Sequence, residues 1–207
     1  MHEDLQPAVE GPDLPRSPQR IERVRTVLQH RQPDLTVVIE NIHDPHNVSA
    51  MLRSCDAVGV MRVELVYSRE RFPSIGKRSS SSAGKWVERR KHLSAESCYT
   101  TLRLEGFAIY ATSLDSASAP LYELDLTGKV ALVFGNEHRG VSEHAALLAD
   151  RTFKIPMLGM IESLNVSVAC AVTLYEALRQ RLGRGDLHRS KLSTDHFEAL
   201  LDEWLQR

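Results

Sequence analysis

Leu35-Thr-Val-Val-Ile-Glu40-Asn-Ile-His-Asp-Pro45-His-Asn-Val-Ser-Ala50-Met-Leu-Arg-Ser-Cys55 reads as a strand, a proline-bearing loop and a helix in immediate succession. Leu35 to Ile39 is apolar and largely β-branched without polar alternation, the pattern of a strand covered on both faces. Past the loop, Val48, Met51, Leu52, Cys55 and Val58 recur at helical spacing, with Asn47 as the natural cap. Working outward, the unit repeats. Apolar runs at Val63 to Tyr67, Phe107 to Ala111, Val130 to Phe134 and Thr152 to Ile155 predict further strands. Ser94 to Gly106 predicts a capped helix closed by glycine. Asn165 to Leu182 predicts a long helix with Val166, Ala169, Cys170, Thr173, Leu174, Ala177 and Leu178 on one face. Strands alternating with helices predict an α/β fold, a largely parallel sheet flanked by helices.

The termini read differently. Residues 1–17 hold Pro7, Pro12 and Pro15 with few large apolar groups and predict a flexible leader. Ser17-Pro18 then has the form of a helix start, and Ile21, Val24, Val27 and Leu28 follow at helical spacing. This helix carries Arg16, Arg20, Arg23, Arg25 and Arg31 around Glu22, so its outer face is basic. The folded unit is expected over 18–185, with 186–207 a short polar tail holding a helix around Phe197, Leu200, Leu201 and Trp204.

The chain has 207 residues, enough for one domain with a real core. With 26 Lys and Arg against 27 Asp and Glu, global charge does not announce a nucleic-acid partner, and any such surface has to be local. Three scattered cysteines, Cys55, Cys98 and Cys170, suit a reducing compartment and hence the cytoplasm. No run has the length of a membrane span, so membrane insertion is not expected.

Three segments carry candidate chemistry. In the first, Asn47 offers an amide beside free N–H groups at a helix start, and Arg53 leans back toward the same end, where an anion or ribose would be held. The plainer reading, a cap and a solvated charge, stays open on this segment alone. The second is Val130 to Ser142, a strand running into a loop in which Gly135 and Gly140 flank Glu137, placing a carboxylate at the sheet edge to orient an arginine. The loop has no Lys-Ser/Thr after its second glycine and is no Walker loop. The third is Ile155-Pro-Met-Leu-Gly-Met-Ile followed by Glu162-Ser163-Leu164-Asn165, an apolar loop suited to wrapping an uncharged ring, with Ser163 and Asn165 at the next helix start. His43 and His46 lie near Cys55 but complete no tetrahedral set, so no metal is expected. A serine hydrolase elbow and the glycine-rich turn of a conventional Rossmann methyltransferase are both missing.

These three segments, in this order, resemble the three motifs of the SpoU family of RNA 2′-O-methyltransferases, most nearly its TrmH type, which acts on guanosine 18 of transfer RNA. The resemblance spans about residues 20–185. Its most specific stretches are Pro45-His-Asn-Val-Ser-Ala, Asp56-Ala-Val-Gly59, Ile155-Pro-Met-Leu-Gly-Met and Ser163-Leu-Asn-Val-Ser-Val-Ala169. It implies a deep C-terminal trefoil knot, which periodicity alone does not suggest. It further implies an S-adenosyl-L-methionine pocket contacted by Thr112, Gly135, Ile155 and Leu164, a homodimer, and Asn47, Arg53, Glu137, Ser163 and Asn165 as the catalytic group.

On that resemblance, methyl transfer aligns a ribose hydroxyl with a sulfonium methyl. Arginine is a poor proton acceptor, so Arg53 is expected to clamp phosphate and ribose while Glu137 fixes Arg53. The transfer-RNA surface is expected from Arg23 and from the stretch Arg69 to Lys91, which sets eight basic residues, Lys77, Arg78, Lys85, Arg89 and Arg90 among them, against Glu70 and Glu88. Arg179, Arg181, Arg184, Arg189 and Lys191 add a second basic stretch. Two other readings remain: the substrate is ribosomal RNA, or the protein binds RNA without catalysis.

Overall fold

The computed structural model describes residues 17–69, 71–73 and 83–207. The expected leader up to residue 16, and Lys77 and Arg78, lie outside them. In chain order the elements are α1 (Pro18–Gln29), β1 (Leu35–Glu40), α2 (Pro45–Ala57), β2 (Arg62–Val66), α3 (Ala83–Trp86), β3 (Glu88–His92), α4 (Ala95–Leu104), β4 (Ala108–Thr112), β5 (Ala119–Pro120), β6 (Val130–Phe134), α5 (Glu143–Leu148), β7 (Arg151–Lys154), α6 (Val166–Gly183) and α7 (Thr194–Trp204).

The strands form one seven-stranded sheet in the order β3-β2-β1-β6-β4-β7-β5, and every neighbouring pair is parallel. β1 sits inside it and is buried at every residue, which explains its unbroken apolar run. Successive side chains of such a strand point to opposite faces. Leu35, Val37 and Ile39 join Val130, Leu132 and Phe134 of β6 in the core shared with α2 and α6. Val38 joins Ala131 and Val133 in the core under α4 and α5. The stripe Val48, Met51, Leu52 and Cys55 seats α2 against the sheet and α6. Gly59 ends that helix at φ +84°, and a Cβ there would lie 2.4 Å from the carbonyl oxygen of His30.

The C-terminal segment is more than a polar tail. α7 packs on α1, and Leu201, Trp204 and Leu205 bury with Val24 and Leu28 in a third small core. Trp86 packs against Trp204 with ring centroids 5.0 Å apart and is a packing residue. The second basic stretch is divided: Arg179, Arg184 and Arg189 are exposed, and Arg181 is internal. Arg181 is fully buried; its guanidinium donates to the carbonyls of Leu126, Asp34 and Gly128 and to the side chains of Gln32 and Asp34. Lys191 pairs with Asp34 at 2.6 Å and Arg179 with Glu176 at 2.8 Å. Among the described residues, no helix is long and apolar enough to cross a membrane.

Candidate active site at the carboxyl edge of the sheet

A parallel sheet gathers the carboxyl ends of its strands on one edge, the usual place for a ligand in α/β proteins. Here the ends of β6, β4 and β7, adjacent in the sheet, open onto a cavity of about 430 Å³. Thr112 follows from β4, Gly135 from β6 and Ile155 from β7, and Leu164, Ser163 and Asn165 reach it from the loop before α6. All four residues expected at the cofactor thus line one space. Gly135 has a steric reason to be glycine: a Cβ there would lie 2.1 Å from the Gly140 backbone, where the loop folds back on itself. Glu40, buried at the end of β1, accepts from the backbone N–H of Ser142 at 2.9 Å and from its hydroxyl at 2.6 Å, anchoring the far end of that loop.

The apolar loop divides its side chains. Ile155 and Met157 line the cavity, whereas Leu158 and Met160 are fully exposed and Ile161 largely so. It therefore does two things: one part walls the cavity and the other presents an apolar surface.

Glu137 does not hold Arg53. Its carboxylate accepts from the backbone N–H of His43 at 3.1 Å and of Asp44 at 3.0 Å, and from the Asn47 side-chain amide at 3.0 Å. Burial pushes this carboxyl up, but the hydrogen bonds from Asn47 and the backbone outweigh it and leave the group below the ordinary glutamate range. Arg53 stands exposed on α2 with no hydrogen bond or ion pair to any described residue. The expected pairing gives way to one between Glu137 and the turn that launches α2.

Asn47 is not the cap. Asp44 is, its side chain accepting the His46 N–H at 2.8 Å, with Pro45 in the first turn. Asn47 lies one turn further in, nearly buried, and is freed for other contacts: it gives its amide to Glu137 and accepts the Asn165 amide at 3.1 Å. Asn165 does cap α6, accepting from the N–H and hydroxyl of Ser167 at 2.9 and 2.6 Å. Glu137, Asn47 and Asn165 therefore form one hydrogen-bonded chain joining the three segments. Ser163 stands exposed on the cavity wall.

The basic residues expected at an RNA surface are placed differently from one another. Arg23, Lys85 and Arg89 are exposed on α1, α3 and β3. Arg90 is a correction. It lies beside Glu64 in the β2–β3 register and donates to Glu64 at 2.8 and 3.0 Å and to Glu105 at 2.5 Å. Arg62 and His92 close around the same fully buried Glu64 at 2.8 and 2.7 Å. Cys98 lies near enough to Glu64 and His92 to suggest a metal triad. Two guanidinium groups already neutralise that carboxylate, which makes the cluster an ion network.

An all-parallel sheet whose carboxyl edge carries a cavity, walled by backbone and rimmed by amide and carboxylate groups from three loops, defines a ligand-binding domain of the α/β class. Residues 34–175 match the SpoU rRNA Methylase family, and the chain belongs to that family. It is 46% identical to the tRNA (guanosine(18)-2′-O)-methyltransferase of Thermus thermophilus over 93% of this chain and 98% of that one. The crystal structure of the A. aeolicus TrmH/SpoU tRNA modifying enzyme superposes with a TM-score of 0.85 at 38% identity, covering 91% of this chain and 95% of that chain. The SpoU methyltransferase AviRb of Streptomyces viridochromogenes, solved with the cofactor AdoMet, superposes with a TM-score of 0.66 at 27% identity over 73% of this chain and 59% of that one.

Tyr67 and Asn136 were not singled out by sequence reasoning. Tyr67 ends an apolar run and Asn136 hides beside Glu137. Only their positions against the turn after β1 give them meaning.

Proposed function

We propose that the chain transfers the methyl group of S-adenosyl-L-methionine to the ribose 2′-hydroxyl of guanosine 18 in transfer RNA. The observation that carries this reading is the chain Glu137–Asn47–Asn165 beside the cavity, supported by the relatives' activity at high coverage. The cavity suits the cofactor. Its volume of about 430 Å³ lies in the range of small-molecule sites, and Ile155 and Leu164 offer apolar walls for an uncharged base. Gly135 lets the backbone come close, and the Thr112 hydroxyl is held against the carbonyl of Val133 at 3.1 Å.

When bound, S-adenosyl-L-methionine supplies an electrophilic methyl on a sulfonium. The protein's residues supply position. Asn47 and Asn165, locked amide to amide, set the rim against which the ribose is held. Ser163 offers a hydroxyl on the same wall. Arg53, exposed and uncommitted, clamps the ribose and its phosphate, because a guanidinium holds an anion in two places but does not take a proton at neutral pH. Arg23, Lys85 and Arg89 follow the RNA backbone outside the pocket.

A homodimer is part of this reading. Val168, Tyr175 and Leu182 recur every seventh residue along α6 and are exposed, and the outward Leu158, Met160 and Ile161 add to them. An apolar surface of this kind favours a partner, and a second copy brings its own. The trefoil knot is proposed as well. β7 lies between β4 and β5, which are consecutive and joined by residues 113–118, and Lys154 donates to the carbonyls of Asp115 and Ser116 at 3.3 Å each. The chain leaving β7 has to pass that connection. A cytoplasmic location follows from the proposed substrate.

The test is transfer of labelled methyl to unmodified transfer RNA and to ribosomal RNA fragments, with the 2′-O-methylated linkage mapped by its resistance to alkali. Label at guanosine 18 is the expected result. Label confined to ribosomal RNA overturns the substrate, and RNA binding without transfer overturns the reaction.

A further inference from the structure

The turn Asn41 to Asp44 carries the chain from β1 into α2, and it is gripped at four successive residues. Glu137 takes the N–H groups of His43 and Asp44. On the other side, Asn136 donates its amide to the Asn41 carbonyl at 2.8 Å, and the Tyr67 hydroxyl donates to the Ile42 carbonyl at 3.1 Å. Asn41 sits at φ +50°, a left-handed conformation that asparagine tolerates better than most residues with a side chain. Its side-chain oxygen accepts from the N–H groups of Ser68 and Arg69 at 3.1 Å each, tying the turn to the end of β2 as well.

Joining a strand to a helix needs none of this, since Asp44 alone caps α2. The grip fixes where α2 begins. Asn47, three residues past Asp44, has to meet Glu137 and Asn165 at once, and a small displacement of the turn breaks one contact or the other.

Asn136 is suited to the task at both ends. It is 7% exposed, and its side-chain oxygen accepts from the N–H groups of His138 at 3.0 Å and Arg139 at 3.3 Å while its amide holds Asn41. It thus shapes the loop that carries Glu137 and ties that loop to the turn that Glu137 holds. Tyr67 is a neutral donor at any physiological pH, because burial first, and the Glu137 carboxylate second, push its phenol well above the ordinary range. Its ring is set edge-on against Phe72 at 5.2 Å, which fixes the hydroxyl's direction.

We propose that Asn136 and Tyr67 are positioning residues of the methyl-transfer site, holding the Asn41 and Ile42 carbonyls while Glu137 holds the His43 and Asp44 amides, so that Asn47 stands in place before Asn165. The role rests on the reaction proposed above. Both residues act through the turn and are not assigned to the reacting atoms.

The experiment uses the full chain with Tyr67→Phe, which removes one hydroxyl, and Asn136→Ala. Four quantities are measured on each: kcat for methyl transfer to transfer RNA, KM for S-adenosyl-L-methionine, amide hydrogen exchange at His43 and Asp44, and Tm. The expected result for Tyr67→Phe is a fall in kcat of about tenfold, the scale of a slightly misplaced reacting geometry. KM for S-adenosyl-L-methionine should stay within about twofold, because the cavity wall is intact. Exchange at His43 and Asp44 should accelerate while Tm stays close to that of the unaltered chain. Asn136→Ala should lower kcat and accelerate this exchange further. An active chain whose two variants keep their kcat, or keep slow exchange at His43 and Asp44, overturns this role alone. An unaltered chain that binds RNA and transfers no methyl group overturns the assigned reaction and this role with it.

Discussion

Asn165 donates its side-chain amide to the side-chain oxygen of Asn47 at 3.1 Å, closing a contact between residues 118 apart in the chain. One belongs to the first turn of α2 and the other caps α6, so the bond registers two helices that also pack through their apolar faces. Asn47 has a single amide nitrogen to give, and it goes to Glu137. Direction along the chain of bonds is therefore fixed: Asn165 gives to Asn47, and Asn47 gives to Glu137.

That direction makes Asn47→Asp a sharp test. The substitution preserves shape, still accepts from Asn165, but sets a second carboxylate against Glu137 in place of a donor. Methyl transfer should fall by about 100-fold, and S-adenosyl-L-methionine binding, measured by calorimetry, should change by less than about threefold. An equal loss in both quantities would mean that Asn47 supports the pocket and not the transfer geometry.

Glu137 carries a pH signature. Its folded-state carboxyl lies below the ordinary value because the charged form accepts from Asn47 and two backbone amides. The unfolded chain therefore takes up this proton before the folded one does. The stabilisation is complete above the unfolded glutamate value and drains away as pH falls through the lower folded value. Against Glu137→Gln, the unaltered chain should have the higher Tm at pH 7, and the gap should narrow steadily below about pH 4.5. A gap that stays constant down to pH 3 would show that the charge on Glu137 contributes nothing to the folded state.

Gly135→Ala tests the cavity wall. With a Cβ meeting the Gly140 backbone at 2.1 Å, either the loop opens or the strand end shifts, and no flexible side chain is there to yield. Cofactor binding should weaken by at least about tenfold, with a loss of stability of about 1–3 kcal/mol, the range for overpacking a close-packed site. Gly128, where a Cβ would meet nothing within 4 Å, is the control: Gly128→Ala should leave cofactor binding unchanged.

How much of this was legible depended on which force held each element. β1 and β6 were plain in the sequence because both faces are covered and the composition says so. β3, Glu-Arg-Arg-Lys-His, reads as a solvated basic run; what keeps it in the sheet is Glu64 on the neighbouring strand, a partner 26 residues from Arg90 that no local pattern reveals. Asn47 and Asp44 are both good cap residues one turn apart, and Pro45 in the first turn was the signal that decides for Asp44. Arg181 looked like surface charge, yet five acceptors on four residues of the 32–34 and 126–128 loops surround it. The three motifs marked the site's parts, but which of them touch was settled by side-chain direction, as the missing Arg53–Glu137 pair illustrates.

Arg89 and Arg90 give the last test, because adjacent residues on one strand point to opposite faces. Arg89 is exposed and faces the solvent side of an edge strand, so Arg89→Ala should leave Tm nearly unchanged and weaken transfer-RNA binding. Removal of one phosphate contact should also lower the slope of log affinity against log salt by about 0.7 to 0.9. Arg90 is spent on Glu64 and Glu105, and its guanidinium is held charged chiefly by hydrogen bonds to those carboxylates, against the opposing effect of burial. Arg90→Ala leaves the fully buried Glu64 short of a partner, which in a buried pair costs about 3–5 kcal/mol, reduced here because Arg62 and His92 remain. Its Tm should fall by several degrees while the salt slope holds. If Arg90→Ala instead kept its Tm and lost the salt dependence, the network around Glu64 would be a surface feature and Arg90 an RNA contact.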